Sequence, residues 1–436
     1  MKTKRLFAVM LIIPMLTFCN GNKPEPENNP KEDDNQEQTT PPDNTNEGDD
    51  ADYSKAATEL KNGDSVLATN SNAEKFLTEV TYPDKDWSFT KVLDYYGGFN
   101  CVKYDENGNP SPNGKEVTKP ISDYPASYSI RWGSSKAEGA KTLLLADNTS
   151  WSQETGIKSG MAYVNITNLI PNATYTYKVT ATDGGETIAE GSFTTTGHIH
   201  QANFCRNVRD MGGWTTLDGK KVKFRKLYRG GRMEEIGGKS AKTEAKDQGI
   251  GAELDLRNSD RLSKPAIGDI DFCAPGIEQG GTWMLTNGNS DGNFTKQCFE
   301  FIVNSLRQNK GVYYHCSLGR DRTGTLGILL LGLLGVREGD ISKEYEVTYF
   351  SPMGYSVSSS EESGWDSKHA DLVAQGLHFP YFLNTRDKWV YSEVAPYFWN
   401  LAGENGTFAQ GVEKYLLDVA GVSQADIDDF RKLMLE

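Results

Sequence analysis

The sequence has no strong basic field, no second long apolar run and no metal-ligand cluster, and each absence removes a class of function. Its formal net charge is -14, with 60 acidic against 46 basic residues. A nucleic-acid partner needs clustered Lys and Arg, so none is expected. Beyond residues 1–19 no stretch is long and apolar enough to span a bilayer; the most apolar, Thr325 to Val336, suits a buried helix better. Histidine is scarce, at five residues, and His369 and His378 stand nine apart with no cysteine nearby. No metal and no cofactor is expected.

What is there begins with a targeting segment. Lys2, Lys4 and Arg5 precede an apolar run from Leu6 to Phe18, which ends at Cys19 before a polar stretch. The pattern resembles a bacterial lipoprotein signal peptide. That implies a lipidated Cys19 as the mature N-terminus, and export to a bacterial membrane with a lipid anchor, on its periplasmic or cell-surface face. Phe18 departs from the small residue usual before that cysteine. Residues 20–53 hold eleven acids, two lysines and no large apolar residue before Tyr53. Such a segment cannot bury enough surface to fold and reads as a disordered acidic tether. Export implies an oxidising compartment. Of the six cysteines, Cys19, Cys101, Cys205, Cys273, Cys298 and Cys316, lipidation of Cys19 leaves an odd number, so at least one has no partner within the chain.

Residues 54–197 read as an all-β sandwich. Ser127 to Trp132 and Ala162 to Ile166 alternate in polarity, a turn falls at Asp183-Gly-Gly185, and Trp132 is a candidate for the core. Leu169-Ile-Pro171-Asn-Ala-Thr-Tyr175-Thr-Tyr177 resembles the tyrosine corner of fibronectin type III domains, a resemblance that starts at about residue 115. No catalytic constellation falls in this region.

Residues 198–436 change to alternating strands and helices, an α/β domain with a central sheet flanked by helices. Its decisive string is His315-Cys316-Ser317-Leu318-Gly319-Arg320-Asp321-Arg322-Thr323-Gly324, between the β-favouring Val312-Tyr-Tyr314 and an apolar helix. A loop entering a helix N-terminus aims backbone N–H groups and a positive dipole end at one spot. That spot suits a phosphate and favours a thiolate, the reactive form of cysteine. Arg322, six positions after Cys316, can fork onto two phosphate oxygens. His315 and the loop arginines are expected to lower the Cys316 pKa further.

This spacing resembles the protein tyrosine phosphatase superfamily. Asn207-Val-Arg209-Asp210-Met-Gly-Gly213, Leu227-Tyr-Arg-Gly230, Leu254-Asp255-Leu-Arg257 and the C-terminal Gly421-Val-Ser423 region narrow it to the atypical bacterial tyrosine/serine phosphatases of family 3. At position 230 that family usually has a small polar residue. The resemblance implies a two-step reaction through a cysteinyl-phosphate. Cys316 is the nucleophile and Arg322 the clamp. Ser317, Leu318, Gly319, Arg320 and Thr323 bind substrate, and His315, Asp210, Asp255 and Arg257 support the site. Asp321 is the first candidate for general acid and Asp291 the alternative. Arg257 either braces the phosphate loop or pairs with Asp255 or Asp210. The substrate is a phosphorylated protein, or, if Arg320 serves as a second cation, a phosphoinositide or inositol phosphate. A non-catalytic surface binding protein is the remaining reading. Residues 351–400, rich in aromatics, are the candidate lid.

Overall fold

The computed structural model describes residues 49–86, 91, 101–104, 115–118, 126–202, 204–205, 207–236, 239–286, 293–350 and 389–436. The signal segment with Cys19, Asp291, and residues 351–388 of the expected lid lie outside the described residues. Asp49–Glu436 form one compact unit.

Its first part is made of short strands: β1 (Thr58–Glu59), β2 (Ser65–Leu67), β3 (Cys101–Tyr104), β4 (Lys115–Thr118), β5 (Tyr128–Arg131), β6 (Lys141–Asp147), β7 (Ser152–Ile157), β8 (Tyr163–Ile166), β9 (Thr174–Ala181) and β10 (Thr187–Thr196). They form a sheet ordered β1-β5-β8, a second ordered β2-β10-β9-β6-β7, and the β3-β4 hairpin. Alternation drives the first two together. Leu143 and Leu145 of β6 and Tyr175, Tyr177 and Val179 of β9 share one core with Ile130 and Ile166 of the other sheet. The Tyr175 ring stacks on Phe193 at 5.2 Å between centroids, and its hydroxyl accepts from the Ile170 N–H at 3.0 Å. Trp132 packs against this core at its edge, only partly buried. It lies one residue past the end of β5, where alternation stops governing direction, and it is half-buried with Nε1 donating to the Met161 carbonyl at 2.8 Å.

Helix α1 (Ser71–Glu79) interrupts this β region. The Asn70 side chain caps it, accepting from the N–H groups of Asn72 and Ala73. Its buried face, Ala73, Phe76 and Leu77, joins the α/β core rather than the strands around it. Phe76 meets Phe350 at 5.4 Å, and Lys343 donates to the Leu77 carbonyl at 3.0 Å. A division at 197/198 therefore does not separate the packing: part of the earlier segment completes the later core.

The α/β part has strands β11 (Arg209–Asp210), β12 (Leu227–Gly230), β13 (Ile250–Asp255), β14 (Asp271–Cys273) and β15 (Gly311–His315). Its helices are α2 (Met233–Ile236), α3 (Lys239–Asp247), α4 (Thr282–Leu285), α5 (Phe294–Arg307), α6 (Asp321–Leu333), α7 (Glu338–Glu346), α8 (Trp389–Ala402), α9 (Phe408–Lys414) and α10 (Gln424–Met434). The sheet is ordered β11-β12-β15-β13-β14, parallel except for the edge strand β11. The central strand β15 is buried along its whole length and reads as a continuous apolar run, as a strand covered on both faces must. On α5, Phe299, Ile302, Val303 and Leu306 are buried at helical spacing. Helix α6 is buried nearly all round. The chain thus leaves the middle of a parallel sheet at its carboxyl end and enters a core helix directly, the place where α/β sheets open a crevice.

The two parts meet at Arg225. Its guanidinium pairs with Asp147, donates to the Tyr175 hydroxyl at 3.1 Å and stacks 4.1 Å over the Trp151 ring.

Among the described residues no helix is long and apolar enough to cross a membrane.

Candidate active site

The loop between β15 and α6 is held from outside by two segments distant in sequence, one at Asn207 and one at 229–232. The Ser317 carbonyl accepts from the Arg232 N–H at 3.1 Å. The Leu318 carbonyl accepts from Asn207 Nδ2 at 3.0 Å, and the Gly319 carbonyl from Arg229 at 2.9 Å. In a trans peptide the C=O and the following N–H point opposite ways. The N–H groups of 318, 319 and 320 are therefore directed away from these anchors, as a ring of anion-binding donors requires. Gly319 takes φ 73°, and a Cβ there would stand 2.4 Å from the Gly230 carbonyl. Position 230 has its own limit: a Cβ on Gly230 would come within 2.6 Å of the Tyr313 hydroxyl. A side chain there would require the Tyr313 ring to shift.

Cys316 is 3% exposed and free of any disulfide. Burial alone pushes its thiol pKa up. Arg322 and the hydroxyl and N–H of Thr323 overcome that, and the net shift is downward. The Thr323 hydroxyl is buried with no other hydrogen-bond partner, which leaves its dipole to serve the sulfur. Arg322 is held by its Nη1, which donates to the Ile277 carbonyl at 3.0 Å.

The other expected residues fall differently. His315 is fully buried and faces away from the sulfur: Nδ1 is 3.2 Å from the Cys316 carbonyl and Nε2 is 3.2 Å from Glu253. Burial disfavours its charge, but Glu253 and Asp255 more than compensate and raise its pKa. His315 is thus a carboxylate-paired strand end, and the field on Cys316 comes from Arg322 and Thr323 instead. Arg257 pairs with Asp255, at 2.9 and 2.8 Å, and with Glu234. That pairing, with His315, outweighs burial and lowers the Asp255 pKa. Asp210 is not at the loop. It accepts from the N–H groups of Gly212 at 2.8 Å and Arg225 at 2.5 Å, bracing a turn beside the Arg225 seam. Arg320 is not a rim cation: it is 5% exposed and its Nε donates to Asp321 at 2.6 Å. The part of the expected lid that is described, the end of the 351–400 segment, is core rather than cover. Tyr391 and Phe398 are buried in α8, and Trp399 Nε1 donates to Glu338 at 2.8 Å.

Two positions had no signal in the sequence. Asp260 accepts from the Ser317 hydroxyl at 3.0 Å and lies 3.6 Å from Arg232 and 3.9 Å from Arg257. Glu344 receives Arg209 and Arg229 at 2.6 Å each, and so fixes the guanidinium that anchors Gly319. Asn207 and Arg229 stood inside strings that carried the family resemblance, but only the fold gives them a role. No group of three or more His, Cys, Asp or Glu able to hold a metal occurs among the described residues.

A buried thiol with a lowered pKa and a guanidinium six residues on, at the start of a core helix, define a cysteine-centred anion site. The chain belongs to the tyrosine phosphatase family, whose model matches residues 200–283 and 278–436. A Cupriavidus necator protein, named provisionally as a tyrosine-protein phosphatase, is 26% identical over 161 residues, or 32% of this chain. The match spans 59% of that relative's length.

Proposed function

We propose that this chain is a cysteine-dependent phosphomonoester hydrolase acting on phosphotyrosine in proteins, with phosphoserine and phosphothreonine as a second substrate class. The observation that carries the reading is the buried, unpaired Cys316 whose pKa is lowered by Arg322 and Thr323. In the first step the Cys316 sulfur attacks phosphorus in line. An S–P bond forms, the P–O bond to the substrate breaks, and the leaving oxygen takes a proton from a carboxylic acid at the pocket mouth. In the second step water attacks phosphorus and gives a proton back to that carboxylate, the P–S bond breaks and inorganic phosphate leaves with the thiolate restored. Arg322 and the loop N–H groups stabilise the equatorial oxygens in both steps.

The further reading is an exported protein anchored through Cys19, with residues 20–53 as its tether and a fibronectin type III-like β-sandwich before the phosphatase domain. The Tyr175 hydroxyl bonded back to Ile170 supports the sandwich reading. Arg320, the residue that had suggested inositol phosphates, is buried against Asp321 and offers no free charge to a second phosphate. Protein substrates are therefore favoured.

The test sets wild type beside Cys316→Ser on p-nitrophenyl phosphate, a phosphotyrosine peptide and inositol polyphosphates, reading released phosphate. Wild type should turn over the first two substrates. The variant should show no turnover while unfolding at a similar temperature. A wild type as inactive as the variant removes the proposal, and inositol polyphosphates as the best substrates would redirect it.

A further inference from the structure

We propose that the protein holds a small organic cation, an alkyl chain ending in a guanidinium or ammonium group, in a cavity between strands β6–β8 and helix α3. None of the residues lining this cavity belongs to the phosphate loop, and the site does not rest on the phosphatase reading.

The cavity has a volume of about 770 Å³, within the range of small-molecule sites. Its apolar lining is Leu143 and Leu145 of β6 with Val164 and Ile166 of β8. Its charged groups are Glu154 of β7, Lys158 just beyond that strand, and Glu244 and Asp247 of α3. Three carboxylates against one ammonium leave the lining negative, which repels an anion.

Hydrogen bonding narrows the choice. Three of the lining amides direct their N–H groups at the protein itself. Asn168 Nδ2 donates to Glu244 at 2.9 Å, Gln153 Nε2 to Asp247 at 3.2 Å, and Asn165 Nδ2 to the Lys55 carbonyl at 3.1 Å. The acceptors keep capacity, because a carboxylate can take about four hydrogen bonds. Gln248 also lines the cavity; it is 2% exposed, and its Oε1 has no hydrogen-bond partner among the described residues. Burial raises the Asp247 pKa, and a cation beside that carboxylate would act against burial. A sugar asks for donors as well as acceptors. A guanidinium or ammonium has only donors and carries the complementary charge. Its alkyl stem suits the four aliphatic side chains.

The end of α3 is pinned from both parts of the molecule. Trp151 Nε1 donates to the Asp247 carbonyl at 2.8 Å, and the Tyr228 hydroxyl to the Gln248 carbonyl at 3.3 Å. A ligand seated against α3 and the strands should therefore stabilise the folded state and raise its unfolding temperature.

Calorimetric titration and thermal unfolding of the full chain test this, with agmatine as the probe and glucose and glutarate as neutral and anionic controls. Agmatine should bind and raise the unfolding temperature, and the controls should do neither. Asp247→Asn and Glu244→Gln should each weaken agmatine binding about tenfold or more, the effect of losing one charge-assisted hydrogen bond. Asp428→Asn, at an exposed acid of α10, should leave it unchanged. The two α3 variants are close in shape to the native residues, so a fold lost in one still leaves the other to be read. No agmatine binding at millimolar concentration overturns the proposal. So does glucose binding as tightly as agmatine, or an agmatine affinity that neither α3 variant changes.

Discussion

Glu344→Ala should destabilise the protein on the order of 3–5 kcal/mol, the cost of leaving buried charge without its partner. The carboxylate is 2% exposed and serves two guanidinium groups, Arg209 and Arg229, which are 1% and 0% exposed. Burial is the main influence pulling the Arg209 pKa down to about 10, and repulsion from Arg229 adds to it, while Glu344 works in the other direction. Without Glu344 the two cations face each other in a medium with little solvent to screen them. The same substitution frees Arg229 from its bridge, and Arg229 is what holds the Gly319 carbonyl. Activity should therefore fall in the folded fraction as well. Glu413→Ala is the control. It breaks the Arg431–Glu413 pair, whose side chains are 30% and 25% exposed, and it should cost under about 1 kcal/mol because solvent already screens that pair. Urea unfolding at equilibrium measures both. Similar losses for the two variants would show that the Glu344 bridge adds nothing special to the fold.

That bridge also marks how far the sequence could be read. The phosphate loop was legible because its chemistry is compressed into ten contiguous residues, and because a short strand before it and an apolar helix after it fix the context. The β segments were legible where polarity alternates, as in β6 and β9. Trp132 shows where that signal weakens: one residue beyond a strand, it reaches only the edge of the core. Helix α1 was not legible as part of the α/β core, since its buried face carries only Ala73, Phe76 and Leu77, too little to say which core they join. The shell of the site was the least readable. Asp260 and Glu344 lie 56 residues before and 28 after Cys316, and nothing in their neighbours distinguishes them from surface acids. Charge in a sequence says nothing of burial, so Asp210 could be taken for a site residue when it braces a turn, and Arg320 for a free cation when it is sealed against Asp321.

Arg322→Lys should lower kcat/KM on a phosphotyrosine peptide by about 100- to 1000-fold, the range seen when one donor of an oxyanion-binding set is removed. A lysine keeps the charge, but it cannot fork onto two phosphate oxygens, nor hold them while bonded to the Ile277 carbonyl. The substitution should also be visible on the sulfur without any substrate. Arg322 is the largest of the influences that offset burial and hold the Cys316 pKa below its ordinary value. In wild type the thiolate is therefore the main form at a lower pH than for an ordinary cysteine, and alkylation by iodoacetamide should level off at that lower pH. Removing the charge altogether, in Arg322→Ala, should move the inflection to higher pH, since burial then acts with less opposition. Arg322→Lys should fall between the two, because an ammonium supplies charge without the planar contact. The order matters more than the size of each step. If the inflection stays in place in Arg322→Ala, the guanidinium does not act on the sulfur, and the lowered thiol pKa must come from Thr323 and the helix start alone.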